Sequence, residues 1–351
     1  MLERRAEARM MRILFLYYDF STAEPLLRCR HLLAEHGMIV DARPVMPAVE
    51  DRDFGASSAT ISEHLSGTYD LLLLQHQLMR EEALCCGRPV VLIERIDGAQ
   101  LETRHWLPNV TGVIKSYALR PRSMNNEHRG RVTARRLKET GVSAANTRVI
   151  EGTPPPLTDA ELAKIHVGYG FGSYSRLEPI ARQFVDLGSP RGLLVQFRGH
   201  LSYRGTEIES HRRLAAQAVH GLANMMPAEV ACGNPIHYDA YTMEMFLSKT
   251  VVSPWGWGEA AYRDYEAWLL GAVVIKPDSD YVEAWPDLYH SGETYVKCAV
   301  DFSDLPGIVV EIAANWSKYL PMRTKARELA LEAMKTEAIA ARMAAIFGEV
   351  A

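Results

Sequence analysis

Five cysteines in 351 residues, Cys29, Cys85, Cys86, Cys232 and Cys298, are too few and too irregularly placed to frame a fold. Their number is odd and no CxxC spacing repeats, so a disulfide scaffold and a zinc knuckle are both excluded, and free thiols in a reducing compartment are the simpler reading. Long apolar runs are also missing. "ILFLYY", near the amino end, is too brief for a signal-peptide core or a membrane span, and the charged "MLERRAEARMMR" before it reads as a frayed tail. The expectation is a cytoplasmic protein without a transmembrane segment, for which peripheral membrane contact stays compatible. Charge of one sign is not in excess either. A net charge of -4 argues against a nucleic-acid partner held by phosphate neutralisation. No internal repeat or low-complexity tract is present.

What the chain does have is apolar residues, 48% of the total, cut into short runs that alternate with segments of helical spacing. That alternation marks parallel α/β sheets. The strand candidates of the first half are "RILFLYY", "GMIVDARPV", "YDLLLLQ", "RPVVLIER" and "VTGVIKS", with helices at "AEPLLRCRHLLAEHG" and "RVTARRLKETG". The prolines of "EGTPPPLTD", residues 151–159, can neither continue a helix nor pair inside a sheet, and they are read as a linker. Alternation restarts with "KIHVGYGF", "RGLLVQFRG", "KTVVSPWG" and "GAVVIKP", with helices at "HRRLAAQAVHGLANM" and "EAAYRDYEAWLLG". Residues 321–351, rich in Ala, Glu, Lys and Leu, are expected to be helical. Two domains, 1–150 and 160–320, follow, with a ligand cleft between them at the carboxyl ends of their strands.

The richest stretch is "SPWGWGEAAYRDYEAWLLGAVVIKP", residues 253–277, which reads as strand end, turn, helix and next strand. Glycines in such a turn let backbone N–H groups approach an anion, and the helix terminus adds partial positive charge. Arg263 adds a guanidinium suited to a diphosphate, and Glu266, three residues on, a carboxylate suited to ribose hydroxyls. Trp255 or Trp257 would cover a base or sugar ring. Ser253, Gly256, Gly258, Glu259 and Tyr262 belong to the same turn and are counted with the donor site. Each residue alone has a structural reading, as surface pair or core aromatic; their gathering at one junction favours a nucleoside-diphosphate site.

This stretch resembles the donor-binding signature of exostosin-like glycosyltransferases of the GT-B fold, in Pro254, Gly256, Arg263, Glu266, Ala267 and Gly271. The resemblance covers about 25 residues closely, and "VQFRGH" is similar to the family's first donor-domain strand and loop. It implies an α/β chain of two Rossmann-like domains with mostly parallel sheets facing across a cleft. Donor binding falls to the second domain, acceptor binding to the first, and the C-terminal helix crosses back. It further implies that Arg263 contacts the donor diphosphate and Glu266 the ribose. Glu259 and Glu266 stand seven apart, not the eight of the retaining pattern, and the stereochemical outcome stays open.

Outside that stretch, Arg198 is a second phosphate candidate, in a loop shared with His200 and Arg204, and Lys276 after the next strand is another. "PDSDY", residues 277–281, contains an Asp-x-Asp, read as the turn that starts a helix and not as a metal site; no metal or cofactor is expected. Removing a proton from an acceptor hydroxyl needs a base. Asp97, in "IERIDG" beside Glu94, is chosen for the cleft edge, with His76 and Asp19 as alternatives at equivalent strand ends; each is equally a turn or capping residue. The function expected is transfer of a sugar from a nucleotide sugar to a glycan, glycolipid or glycoprotein acceptor. A catalytically silent nucleotide-binding scaffold and a two-domain small-ligand-binding protein are the alternatives.

Overall fold

A computed structural model of the chain describes residues 9–45, 59–94, 101–126, 155–169, 174–202 and 207–351. In the first half, β1 (Met11–Tyr17), β2 (Met38–Pro44), β3 (Leu71–Gln75), β4 (Val90–Glu94) and β5 (Gly112–Lys115) lie parallel. After the short β6 (Tyr117–Leu119) comes β7 (Ile165–Val167), which pairs in parallel with β5 and completes the sheet order β2-β1-β3-β4-β5-β7. The apolar runs are buried on both faces. Leu14, Leu16, Leu72, Leu74 and Leu92 fill one side, and Ile13, Phe15, Leu71, Leu73 and Val91 the other, the period-two alternation of a covered strand.

The second sheet is built from β8 (Leu193–Arg198), β9 (Val230–Gly233), β10 (Ser248–Val252), β11 (Val273–Pro277) and, after β12 (Val282–Ala284), β13 (Val296–Cys298), in the order β13-β11-β10-β8-β9, again all parallel. The longer helices are α1 (Phe20–Cys29), α2 (Tyr174–Ala181), α3 (Glu207–Met225), α4 (Tyr238–Leu247), α5 (Tyr262–Leu269), α6 (Leu305–Ala314), α7 (Leu320–Glu332) and α8 (Thr336–Val350). On one face of this sheet α3 and α6 pack Ala215, Val219, Leu222, Leu305 and Val309 against Val195, Phe197 and Ile275. On the other, α5 and α7 supply Trp268, Leu269, Ala326 and Ala330.

Three expectations need correction. "KIHVGYGF" was assigned to the second domain, but its strand β7 is hydrogen-bonded to β5, so the first sheet runs through Val167 and the passage between halves follows it. Residues 321–351 are two helices and not one. α7 packs against α5, where Arg327 Nε donates to the Leu269 carbonyl at 3.0 Å, while α8 lays Ile339, Met343 and Phe347 on the first sheet. The chain turns at residues 333–335 because the two helices serve different domains, and this packing outweighs helix propensity. The return of α8 to the first domain is the crossing expected of the architecture. The third is Asp278 and Asp280, which lead into the strand β12 and not into a helix. "RVTARRLKETG" lies outside the described residues.

Further contacts among the described residues tie the halves together. β6 pairs antiparallel with β12, and Arg122 Nη2 donates to Glu283 Oε1 at 2.8 Å beside that ribbon. α2 reaches both ways: the Ser175 N–H donates to Glu24 Oε2 on α1 at 3.1 Å, and Arg176 Nε to Glu266 Oε1 on α5 at 2.9 Å.

Candidate functional site

In each sheet the chain lays its second strand on one side of the first and its third strand on the other. The crevice of the first sheet therefore opens between the carboxyl ends of β1 and β3, and that of the second between β8 and β10. Asp19 follows β1, His76 follows β3, Gly199 follows β8, and the turn beginning at Ser253 follows β10. Tyr262, the first residue of α5, lines one cleft of about 210 Å³ together with Tyr18, Asp19, His76 and Gln77. The structure thus brings together sequence candidates that lie some 240 positions apart in the chain.

The turn at 253–261 is locked from below. The Ser253 hydroxyl donates to Asp264 Oδ1, and Lys276 Nζ contacts Asp264 Oδ2 and the Glu259 carbonyl, both at 2.7 Å. Tyr289 adds its hydroxyl to Asp264 Oδ2 at 2.8 Å. Ser253, Asp264 and Lys276 have no exposed surface. Trp255 is equally enclosed, its indole N–H donating to Ser279 Oγ at 3.2 Å and its ring lying 5.3 Å from that of His211 on α3. Glu259 Oε2 accepts from the Tyr117 hydroxyl at 3.1 Å, a link to the first half. Ser253, Trp255, Lys276 and Glu259, expected among the donor contacts, are buried in the turn and hold its shape. The helix start is set the same way, since Asp264 Oδ2 accepts the Ala261 N–H at 3.1 Å. At the far end Gly271, at φ 72°, takes the left-handed turn that ends α5, and a Cβ there would meet Leu187 at 2.3 Å.

Arg198 is likewise committed. Its guanidinium binds Glu244 with bonds of 2.9 and 2.7 Å and the Cys232 carbonyl at 2.7 Å, so it braces β8 against α4 and β9, and the bonds from Glu244 raise its pKa. These bonds engage the guanidinium that was expected to meet a phosphate; Arg263 makes fewer. Its Nη2 donates to the Arg198 carbonyl, its plane lies 5.2 Å from the Phe197 ring, and its Nε has no hydrogen-bond partner among the described residues. Arg212 on α3, missed in the sequence reading, comes to the same corner: Nη1 lies 3.4 Å from the His200 carbonyl, and a Cβ on Gly256 would stand 3.2 Å from Nη2. A Cβ on Gly199 would likewise stand 3.1 Å from Arg263 Nη2. Two guanidiniums therefore rest against the two glycine turns of the second crevice. The signal for Arg212 was its place in the helix following the "FRGH" loop. Arg204 lies outside the described residues; Trp257 and Gly258 stay with the turn, whose Gly256 N–H donates to the Gly258 carbonyl at 3.0 Å.

Glu266 is only 1% exposed. Its Oε1 accepts from Arg176 Nε at 2.9 Å and from the Tyr238 hydroxyl at 3.2 Å, and its Oε2 from the Tyr241 hydroxyl at 2.8 Å. Both carboxylate oxygens, which the resemblance assigns to the ribose, are thus engaged by protein donors. Arg176, Tyr238 and Tyr241 come from distant segments, and nothing in their local sequence marks them.

On the first-domain side, Asp97 lies outside the described residues. Glu94 is not at the cleft edge: it is buried, receives Lys115 Nζ at 2.9 Å, and accepts the N–H groups of Glu102 and Thr103 at 3.2 and 2.8 Å. Burial raises its pKa, but Lys115 and the Thr103 hydroxyl outweigh this and hold it below the ordinary carboxylate value. Asp19 caps α1, with Ser21 N–H at 3.0 Å and the Thr22 hydroxyl at 2.6 Å, and Gln75 fixes this turn by accepting the Tyr18 and Asp19 N–H groups. His76 is different. Its side chain is 8% exposed in the cleft, Nε2 lies 3.3 Å from Glu102 Oε2, and Nδ1 has no partner among the described residues. The Glu94 clamp on residues 102 and 103 holds the segment that carries Glu102.

The Asp-x-Asp carboxylates are occupied: Asp280 accepts from Ser291 and Tyr295, and Asp278 pairs with Lys297 at 3.2 Å. Among the described residues no three His, Cys, Asp or Glu side chains gather as a metal site, and no helix is long and apolar enough to cross a membrane.

No protein-family model matches the sequence, and no curated protein matches it. Among solved structures the chain is similar to a glycosyltransferase from Rickettsia africae ESF-5, with 9% identity over 97% of this chain and 98% of that one and a TM-score of 0.53. It is also similar to a sucrose-phosphate synthase from Thermosynechococcus elongatus, with 12% identity over 96% and 98% of the two chains and a TM-score of 0.49. At 9% identity the likeness to the Rickettsia glycosyltransferase speaks for architecture alone. With two parallel-sheet α/β domains facing one cleft and a terminal helix returning to the first, the chain has the GT-B fold.

Proposed function

We propose that the chain is a glycosyltransferase that moves a sugar from a nucleoside-diphosphate sugar to an acceptor hydroxyl, in the manner of the exostosin-like enzymes its 253–277 stretch resembles. The observation that carries this reading is the pairing of Arg263 and Arg212 against Gly199 and Gly256 at the second crevice. Guanidiniums beside glycine turns and the start of α5 suit a diphosphate, and they would stabilise charge growing on the leaving nucleotide. Across the cleft, of the two base candidates among the described residues, His76 with Glu102 is better placed than Asp19, whose carboxylate is spent on its cap. His76 would take the acceptor proton, and Glu102 would orient the ring. With the arginines supplying the positive charge, transfer is proposed to be metal-independent. The acceptor would be a glycan, glycolipid or glycoprotein approaching along the first domain, in a cytoplasmic setting.

Thermal-shift screening with UDP, GDP, CMP and dTDP tests the reading. A nucleotide that binds at this corner raises the melting temperature of the unmodified chain and does so far less in Arg263→Ala. Release of that nucleotide from its sugar conjugate, retained in the presence of a chelator, completes the case. Binding without any turnover over a panel of acceptors would favour the silent scaffold.

A further inference from the structure

We infer that Glu266 is a positioning residue for Arg176, and that Arg176, not Glu266, is the group of this pair that meets the donor, through its phosphates. The inference rests on the nucleotide-sugar reading above and changes the role that its signature assigns. Glu266 is buried, with both carboxylate oxygens accepting hydrogen bonds from Arg176, Tyr238 and Tyr241. For a ribose to replace them, a buried carboxylate would have to lose a charged partner, and the Arg176 charge would lose its countercharge. Arg176, by contrast, has 45% of its side chain exposed. Its guanidinium lies 4.7 Å from the centre of the Tyr238 ring and 5.6 Å from that of Tyr262, which lines the cleft. A half-exposed guanidinium held through Nε and Nη2 by a carboxylate oxygen and lying close to two phenol rings can recognise an anion with little loss of side-chain freedom. The residue comes from α2, which is also bonded to α1 through Ser175, so the cation is set by both halves of the molecule.

The two assignments separate by which part of the nucleotide each residue reads. Dissociation constants are measured for UDP and GDP and for their 2′-deoxy forms, with the unmodified chain, Arg176→Ala, Arg176→Lys and Glu266→Gln, each checked for an unchanged melting profile. The expected result is a loss of about tenfold or more in affinity for the nucleoside diphosphate in Arg176→Ala, partial recovery in Arg176→Lys, and a smaller loss in Glu266→Gln. The ratio of ribo to deoxy affinity is expected to stay the same in every variant. If Glu266→Gln erases that ratio while Arg176→Ala binds normally, Glu266 reads the ribose and the inference is overturned while the functional reading survives. Failure of the unmodified chain to bind any of these nucleotides would overturn both.

Discussion

Arg263 is the residue on which the chemistry turns, and its surroundings separate its functional from its structural share. In the folded chain it makes a hydrogen bond to the Arg198 carbonyl and packs on Phe197, so truncation removes about 1 kcal/mol of stability. The loss of transition-state stabilisation is larger, because a donor aimed at developing charge in a closed site contributes about 3 kcal/mol. Arg263→Ala is therefore expected to lower kcat/KM for sugar transfer by about a hundredfold or more with a minor change in urea midpoint; equal losses in both would reduce Arg263 to a brace. His76 is argued in the same way. Removing a general base costs about 10²- to 10⁴-fold in turnover, so His76→Ala should lower kcat while leaving nucleoside-diphosphate affinity near normal, as read by calorimetry. A variant that turns over at the usual rate would return the role to Asp97 or to a base outside both. His76 was legible in the sequence because it follows a strand run directly, and Tyr262 and Arg263 because they open the helix after a glycine-rich turn. Arg212 and Arg176 were not, since what distinguishes them is a neighbour supplied by another part of the chain.

The strand-turn-helix element at 248–269 was read correctly as a unit, and misread in which of its side chains point out. Sequence places Trp255, Glu259 and Lys276 near the turn, but burial is decided by the next layer. His211 from α3 covers Trp255, Tyr117 from β6 covers Glu259, and Tyr289 closes over Asp264 and Lys276. None of those partners lies within the element. The result is a buried ion pair whose worth is its geometry, fixing the end of β11 to the start of α5. Lys276→Met leaves the Asp264 charge enclosed without a countercharge and is expected to cost about 3–5 kcal/mol in urea unfolding. Adding Asp264→Asn in the same chain should recover much of that loss. A Lys276→Met protein of normal stability that fails to bind nucleotide would instead make Lys276 a donor ligand.

At the scale of the whole molecule, the parallel α/β alternation was legible from short apolar runs, and the joints between domains were not. The proline cluster suggested a boundary, but pairing with β5 drew β7 into the first sheet, and α8 returned to the face made by Ile13, Phe15 and Leu73. Stability is also tied to groups buried where a helix meets its sheet, and His211 on α3 is the clearest. It has no exposed surface, lies between the rings of Trp255 and Phe302 at 5.3 and 5.0 Å, and donates from Nε2 to the Val300 carbonyl at 3.1 Å. Burial lowers its pKa from the ordinary 6.5 to about 4, with Lys276 and Arg212 adding to the effect. Above pH 6.5 the residue is neutral whether the chain is folded or not, and its effect on stability is constant. As the pH falls from 6.5 towards 4, the unfolded chain takes up the proton while the folded one resists, so stability declines by about 3 kcal/mol in all. Below the folded pKa both states are protonated and the loss is complete. Replacing the ring by a group that does not titrate should remove this share of the slope. Urea unfolding of the unmodified chain and of His211→Gln, run in parallel at pH 7, 5.5 and 4, is expected to show the gap between them closing as the pH falls; parallel curves would mean that His211 takes up its proton at the same pH folded and unfolded.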